Sequence, residues 1–175
     1  MQSVNPEVAG WLTVYETHID YPFTQAEDNQ KYINTDAEGE YSLAGSIFLD
    51  YRNRKDFSDF NSILYGHHMA ENAMFGDLAD FKDEKFFDSH RYGNLYFDGE
   101  NHQIEFFAFL EVNAYDSEIY NPAVSENKRQ EYLNRIFQEA LHQRETEVDI
   151  TNRLVLLSTC TSESTNGRHI LVGKM

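Results

Sequence analysis

The sequence has 175 residues, of which 41% are hydrophobic and 14% aromatic, enough for one core and too little for two, so one domain over residues 1–175 is expected. One cysteine excludes an internal disulfide. Lys plus Arg total 14 against 30 Asp plus Glu, a formal charge of −16; that argues against nucleic-acid binding, because phosphate neutralisation needs a basic face, and it reads as a solvated, self-repelling surface.

No stretch approaches the ~20 consecutive apolar residues of a membrane span. The opening Met1-Gln2-Ser3-Val4-Asn5 has neither the basic nor the apolar region of a signal peptide, so the chain as it stands reads as soluble. Residues 6–19 carry Val8, Trp11, Leu12, Val14 and Ile19 and predict a short helical or extended piece laid over the core. Short β-type runs follow, closed by Gly, Asp or Asn: 45–51, 62–66, 94–97, 103–112, 153–159 and 169–172, at least six strands. Two segments keep the helical period. Met74, Phe75, Leu78 and Phe81 predict a short helix packed by one face, and residues 125–144 predict a longer one with Leu133, Ile136, Phe137, Ala140 and Leu141 on its apolar stripe. The fold class is therefore mainly β, largely antiparallel, closed or half-closed, with helical insertions.

Cys160 ends the run Leu154-Val155-Leu156-Leu157-Ser158-Thr159 and precedes a polar stretch through Gly167, which places it at the mouth of a strand. A free cysteine is usually a small buried hydrophobe; one at a strand mouth is better placed for chemistry, which needs the thiolate and hence a cationic neighbour. His67 and His68 follow Ile63-Leu64-Tyr65-Gly66, again at a strand end, and Arg168 opens the last strand. Adjacent histidines also raise the question of a metal, but no HExxH or CxxC spacing accompanies them.

Taken together, Tyr65-Gly66-His67-His68-Met69, Leu157-Ser158-Thr159-Cys160 and Arg168 closely resemble the signatures of the sortases. Gly45-Ser46-Ile47-Phe48-Leu49-Asp50-Tyr51-Arg52-Asn53, Met74-Phe75-Gly76-Asp77-Leu78 and the opening Gly10-Trp11-Leu12, Ile19-Asp20-Tyr21-Pro22 and Asp28-Asn29 are similar to class B in particular. The resemblance runs from about residue 5 to 174. It implies a closed eight-stranded sortase-type β-barrel, with an N-terminal helical segment and a long helix between strands 6 and 7. It also implies a cysteine transpeptidase of Gram-positive bacteria, held at the extracellular face of the membrane by an N-terminal anchor absent from these 175 residues. Such an enzyme cleaves a sorting signal of the form N/S-P-x-T-G/N/S after the Thr and transfers the surface protein to a peptidoglycan amine.

On that resemblance Cys160 is the nucleophile, His67 the acid and base, and Arg168 the donor to the oxyanion. Asn29, Ile33 and Ser158 match groove positions, and Ile119 and Tyr120 fall in the stretch that forms the wall over the signal's Pro. His68 falls where the family varies, and Glu163 receives no role. No metal or other cofactor is implied; the partners are the signal peptide and the acceptor amine. A pilin-polymerising sortase with a lysine acceptor is the alternative in the same fold. A sortase-like thiol hydrolase or an inactive binding module is the alternative in kind, and the intact trio of His67, Cys160 and Arg168 argues against lost activity.

Overall fold

The computed structural model describes residues 3–160 and 165–175, with Cys160 described by its backbone alone. Residues 161–164, Glu163 among them, lie outside the described residues. The strands are β1 (Val8–Val14), β2 (Asp20–Thr24), β3 (Ile47–Leu49), β4 (Asn61–Tyr65), β5 (Tyr92–Phe97), β6 (Glu100–Asn113), β7 (Ala140–Gln143), β8 (Leu154–Cys160) and β9 (Gly167–Lys174), with helices α1 (Glu84–Ser89) and α2 (Arg129–Glu139). In the order β5-β1-β2-β3-β4-β8-β9-β6 eight strands form a ring, closed by the pairing of β5 with β6; β7 adds a ninth strand on the outside of β6. Only β2–β3 and β4–β8 are parallel among the described pairings.

Two apolar clusters cover the two faces of this sheet. One gathers Leu12, Phe23, Ile47, Leu64, Phe75, Phe106, Val155, Leu157 and Leu171; the other gathers Ile63, Phe107, Leu110, Leu156 and Ile170 beneath Tyr132, Leu133 and Ile136 of α2. Successive residues of a strand point to opposite faces. This explains why Leu154-Val155-Leu156-Leu157 is apolar without alternation: both of its faces are buried.

The 6–19 segment resolves to its extended reading, as β1 pairing with β2 and β5. No helix precedes it among the described residues, where residues 3–7 form turns and coil. The helix between β6 and β7 is present, but it ends at Glu139, short of the 125–144 expectation. Residues 140–143 turn extended and pair with residues 108–110 of β6, leaving Leu141 46% exposed. Open backbone donors and acceptors on β6 outweigh the local helical stripe there. Met74, Phe75, Leu78 and Phe81 are all buried as expected, but the segment is a 3-10 turn (Gly76–Lys82), with Met74 before it at φ 55° and bridged to His68. Helix α1 was not predicted; its start is marked by Asp83, whose Oδ1 accepts from the Phe86 N–H at 3.0 Å. No helix among the described residues is long and apolar enough to cross a membrane.

Past the end of β3 the chain buries a carboxylate. Asp50 is 0% exposed, and its main-chain N–H donates to Ile63 O of β4 at 2.8 Å. Five donors meet its carboxylate: the Arg52 N–H and Nε on Oδ1, each at 2.9 Å, and Arg52 Nη2 at 2.7 Å, Tyr65 Oη at 2.9 Å and Asn29 Nδ2 at 3.1 Å on Oδ2. Burial pushes this carboxyl up, but the hydrogen bonds from Arg52 and Tyr65 outweigh it and hold it below the usual aspartate range.

Gly66 links β4 to His67, donating its N–H to Ser158 O at 3.2 Å. A Cβ at this position would lie 2.5 Å from Ile47 Cδ1 and 2.8 Å from Phe75 Cδ2. Gly66→Ala is expected to cost about 1–3 kcal/mol by overpacking, read as a lower urea midpoint at unchanged m-value. For Asp50, a carboxyl depressed in the folded state stabilises the fold above the unfolded value of about 3.9, and that contribution is lost as pH falls through the folded value. Asp50→Ala is therefore expected to lose about 3–5 kcal/mol at neutral pH. Its stability should then fall less steeply than that of the wild type below about pH 4, as urea titrations across pH will show.

Candidate active site

Strands β4 and β8 run parallel, in a register that sets Tyr65 beside Ser158, so both chains leave the sheet at the same edge. Strand β9 starts at that edge, antiparallel to β8, with Arg168 opposite Cys160. Topology thus brings His67, two residues beyond β4, Cys160, the last residue of β8, and Arg168, the second of β9, to neighbouring strand ends. The approach needs no long loop: each of the three lies within two residues of a hydrogen-bonded strand.

His67 is half-buried. Its Nε2 lies 2.7 Å from Ile33 O, and a carbonyl only accepts, so Nε2 carries a hydrogen and Nδ1 is the nitrogen left for proton exchange. The His67 carbonyl accepts from Phe75 N–H at 3.0 Å, fixing the main chain as well as the ring. Arg168 Nη1 donates to the carbonyls of Gly167 at 2.7 Å and Thr165 at 3.3 Å. These bonds hold the guanidinium over its own turn while it lines a groove of about 340 Å³.

That groove brings together Asn29, Ile33, Tyr120 and Arg168 from the sequence-derived set, and adds Phe48, Arg52, Tyr65 and Ala114. Its aromatic wall is continuous: Phe48 and Tyr65 have ring centroids 5.4 Å apart, and Tyr65 stacks on Tyr120 at 6.2 Å. Ser158 is 2% exposed and meets the groove through its hydroxyl, 2.8 Å from Tyr120 Oη, so it supports the wall from behind. Ile119 does not line the groove. It is 0% exposed under α2, where its carbonyl accepts from Tyr132 Oη at 2.8 Å. The apolar side chain faces the core because its neighbour Tyr120 supplies the amphipathic surface. Asn29 has both ends of its amide engaged, Nδ2 on Asp50 and Oδ1 accepting from Tyr51 N–H at 3.0 Å, so it shapes the groove as part of the loop scaffold.

Sequence reasoning passed over Arg52 and Tyr65. Tyr65 is the last residue of β4, two before His67; Arg52 follows an aspartate that interrupts the end of an apolar run. Burial, reinforced by the Asp50 charge, pushes the Tyr65 hydroxyl well above its usual range, so it remains a donor to Asp50 at any physiological pH. Among the described residues no three His, Cys, Asp or Glu side chains gather as metal ligands would.

No protein-family model matches the chain. It is 34% identical over 177 aligned residues to sortase B of Listeria monocytogenes, an alignment that covers 100% of this chain and 72% of that protein. Among solved structures, sortase B from the type II pilus of Streptococcus pneumoniae is 48% identical with a TM-score of 0.86. A Streptococcus pyogenes class B sortase involved in pilus biogenesis is 43% identical with a TM-score of 0.91. Each of these two comparisons covers 99% of this chain and 94% of the other. With the eight-stranded closed barrel and full-length similarity in hand, the chain belongs to the class B sortases, which are cysteine transpeptidases.

Proposed function

We propose that this transpeptidase cleaves a C-terminal sorting signal of the form N/S-P-x-T-G/N/S after the Thr and transfers the acyl group to an amine at the outer face of a Gram-positive membrane. The observation that supports the reading is the register of β4, β8 and β9, which brings the chain at His67, Cys160 and Arg168 to adjacent strand ends, with Arg168 lining a groove there.

In this reading the Cys160 thiolate attacks the Thr carbonyl carbon, and the oxygen takes up the negative charge. Arg168, whose planar fork is always charged, donates to that oxygen. The Thr–Gly amide bond then breaks; the leaving amine takes a proton from His67, and a thioester on Cys160 remains. An incoming amine attacks the thioester, gives its proton to His67, and expels the thiolate, so nothing is consumed beyond the exchange of one amine for another. The carbonyl of Ile33 holds the imidazole through Nε2 during both transfers.

A peptidoglycan amine is the first acceptor reading. Similarity at 48% and 43% identity to two pilus-associated class B sortases supports a second, in which a pilin lysine is the acceptor. The two share every step up to the thioester and differ only in what enters the groove last.

Cys160→Ala is expected to abolish cleavage of a fluorogenic N-P-x-T-G peptide while retaining the wild-type melting curve; undiminished cleavage excludes Cys160 as nucleophile. Arg168→Lys, which keeps the charge but loses the fork, is expected to reduce kcat by about 10²- to 10³-fold. Mass spectrometry of products formed with a glycine peptide, diaminopimelate or a lysine-bearing pilin peptide then separates the acceptors. If only the hydrolysed acid forms with every amine, the enzyme is a hydrolase.

A further inference from the structure

Arg52 is held unusually tightly for a residue whose side chain is 43% exposed. Nε and Nη2 grip the two oxygens of the buried Asp50, and Nη2 also donates to Tyr120 O at 3.2 Å. Nη1 makes no hydrogen bond among the described residues, yet Arg52 lines the same groove as Arg168. A donor locked in place by three hydrogen bonds loses little entropy when it makes a fourth.

We propose that Arg52 reads the first, polar position of the sorting signal, donating from Nη1 to an amide carbonyl or hydroxyl oxygen; this rests on the signal class given above. The register supplies the spacing. Asp50 is bonded to Ile63, and Ile63 pairs with Leu156, four residues before Cys160, or about 13 Å along the strand. In an extended peptide with its Thr carbonyl at the Cys160 end, the residue three before Thr lies about 10 Å away. The two lengths are similar, and Arg52, bonded to the Tyr120 carbonyl, lines the groove that Arg168 also lines. The chemistry restricts the acceptor to a neutral one. Asp50 already balances the Arg52 charge, so a carboxylate on the peptide would meet a cation and an anion together, whereas a ligand ammonium or guanidinium offers no acceptor for Nη1. Asn and Ser share what remains, a neutral oxygen on a short side chain.

The test compares kcat/KM for N-P-x-T-G, D-P-x-T-G and A-P-x-T-G peptides in the wild type and in Arg52→Lys, which keeps a cation for Asp50. The wild type is expected to prefer Asn to Ala by about ten- to a hundredfold, with Asp no better than Ala. In Arg52→Lys that preference should collapse toward one, through KM of the Asn peptide, with kcat retained. An unchanged Asn preference in a variant that melts as a folded protein overturns the assignment. If Arg52→Lys does not fold, the pair Asp50→Asn with Arg52→Gln, which removes both charges together, is read in the same way. A wild type that cleaves Asn and Ala peptides equally overturns the Arg52 assignment alone. One that cleaves neither overturns the signal reading and this assignment with it.

Discussion

A carboxylate with no access to water must be met by donors, and at Asp50 those donors come from three separate stretches of chain. Asn29 belongs to the loop after β2, Arg52 to the turn after β3, and Tyr65 to the end of β4. The side-chain amide of Gln25 adds a bond to the Asp50 carbonyl at 2.8 Å. Satisfying one buried charge therefore fixes the relative positions of the loops that frame the groove. Tyr65 in turn stacks on Tyr120, and Tyr120 meets Ser158, so the constraint passes to β8 two residues before Cys160. A groove framed by loops would ordinarily be the mobile part of a β-barrel; here it is braced from inside by a single anion.

The barrel supplies the other half of the geometry. Because β4 and β8 are parallel, their C-terminal ends reach the same rim, and because β9 turns back from β8, its N-terminal end is there too. One distant segment, after β4, and two consecutive strands, β8 and β9, deliver one residue each, with no positive φ at His67 or Arg168. Three of the six positive-φ non-glycine residues among the described residues lie nearby instead: Glu71, Asn72 and Met74, in the segment between His67 and the buried Phe75. That segment is anchored by Phe75 N–H on the His67 carbonyl and by the burial of Phe75 itself, so packing on the interior holds a turn that local preference disfavours.

How much of this was readable from residues alone follows from which forces are local. Runs such as Ile63-Leu64-Tyr65 and Leu154-Val155-Leu156-Leu157 carry their own β signal, and each marks a real strand. The trio of His67, Cys160 and Arg168 was legible as a family pattern, and the strand assignments alone put all three at strand ends. What failed depended on distant partners. The extent of α2 was misjudged because β6, thirty residues away, takes residues 140–143 as a strand. Ile119 looked like a wall residue because nothing in Ser117-Glu118-Ile119-Tyr120 says which side chain turns inward. Asp50 and Arg52 fall inside a family motif, where an aspartate ending an apolar strand reads as a turn residue; its burial is visible only once Asn29 and Tyr65 are seen to converge on it.

The two arginines of the groove show why the same side chain serves different ends at its two positions. Arg52 is electrically closed: its charge is matched by Asp50 at 2.7 Å, so its remaining hydrogen bond is worth the same to a bound peptide before and during reaction. An interaction of that kind contributes to binding and selectivity and leaves the chemical step unchanged. Arg168 has no carboxylate within ion-pair distance among the described residues; its bonds go to main-chain carbonyls, which orient the fork without cancelling its charge. An uncancelled cation gains most when negative charge appears on the substrate oxygen, which happens only as the carbonyl is attacked. The placement of one buried aspartate thus gives the two arginines different surroundings: Arg52 is paired with a carboxylate, and Arg168 meets only main-chain carbonyls among the described residues.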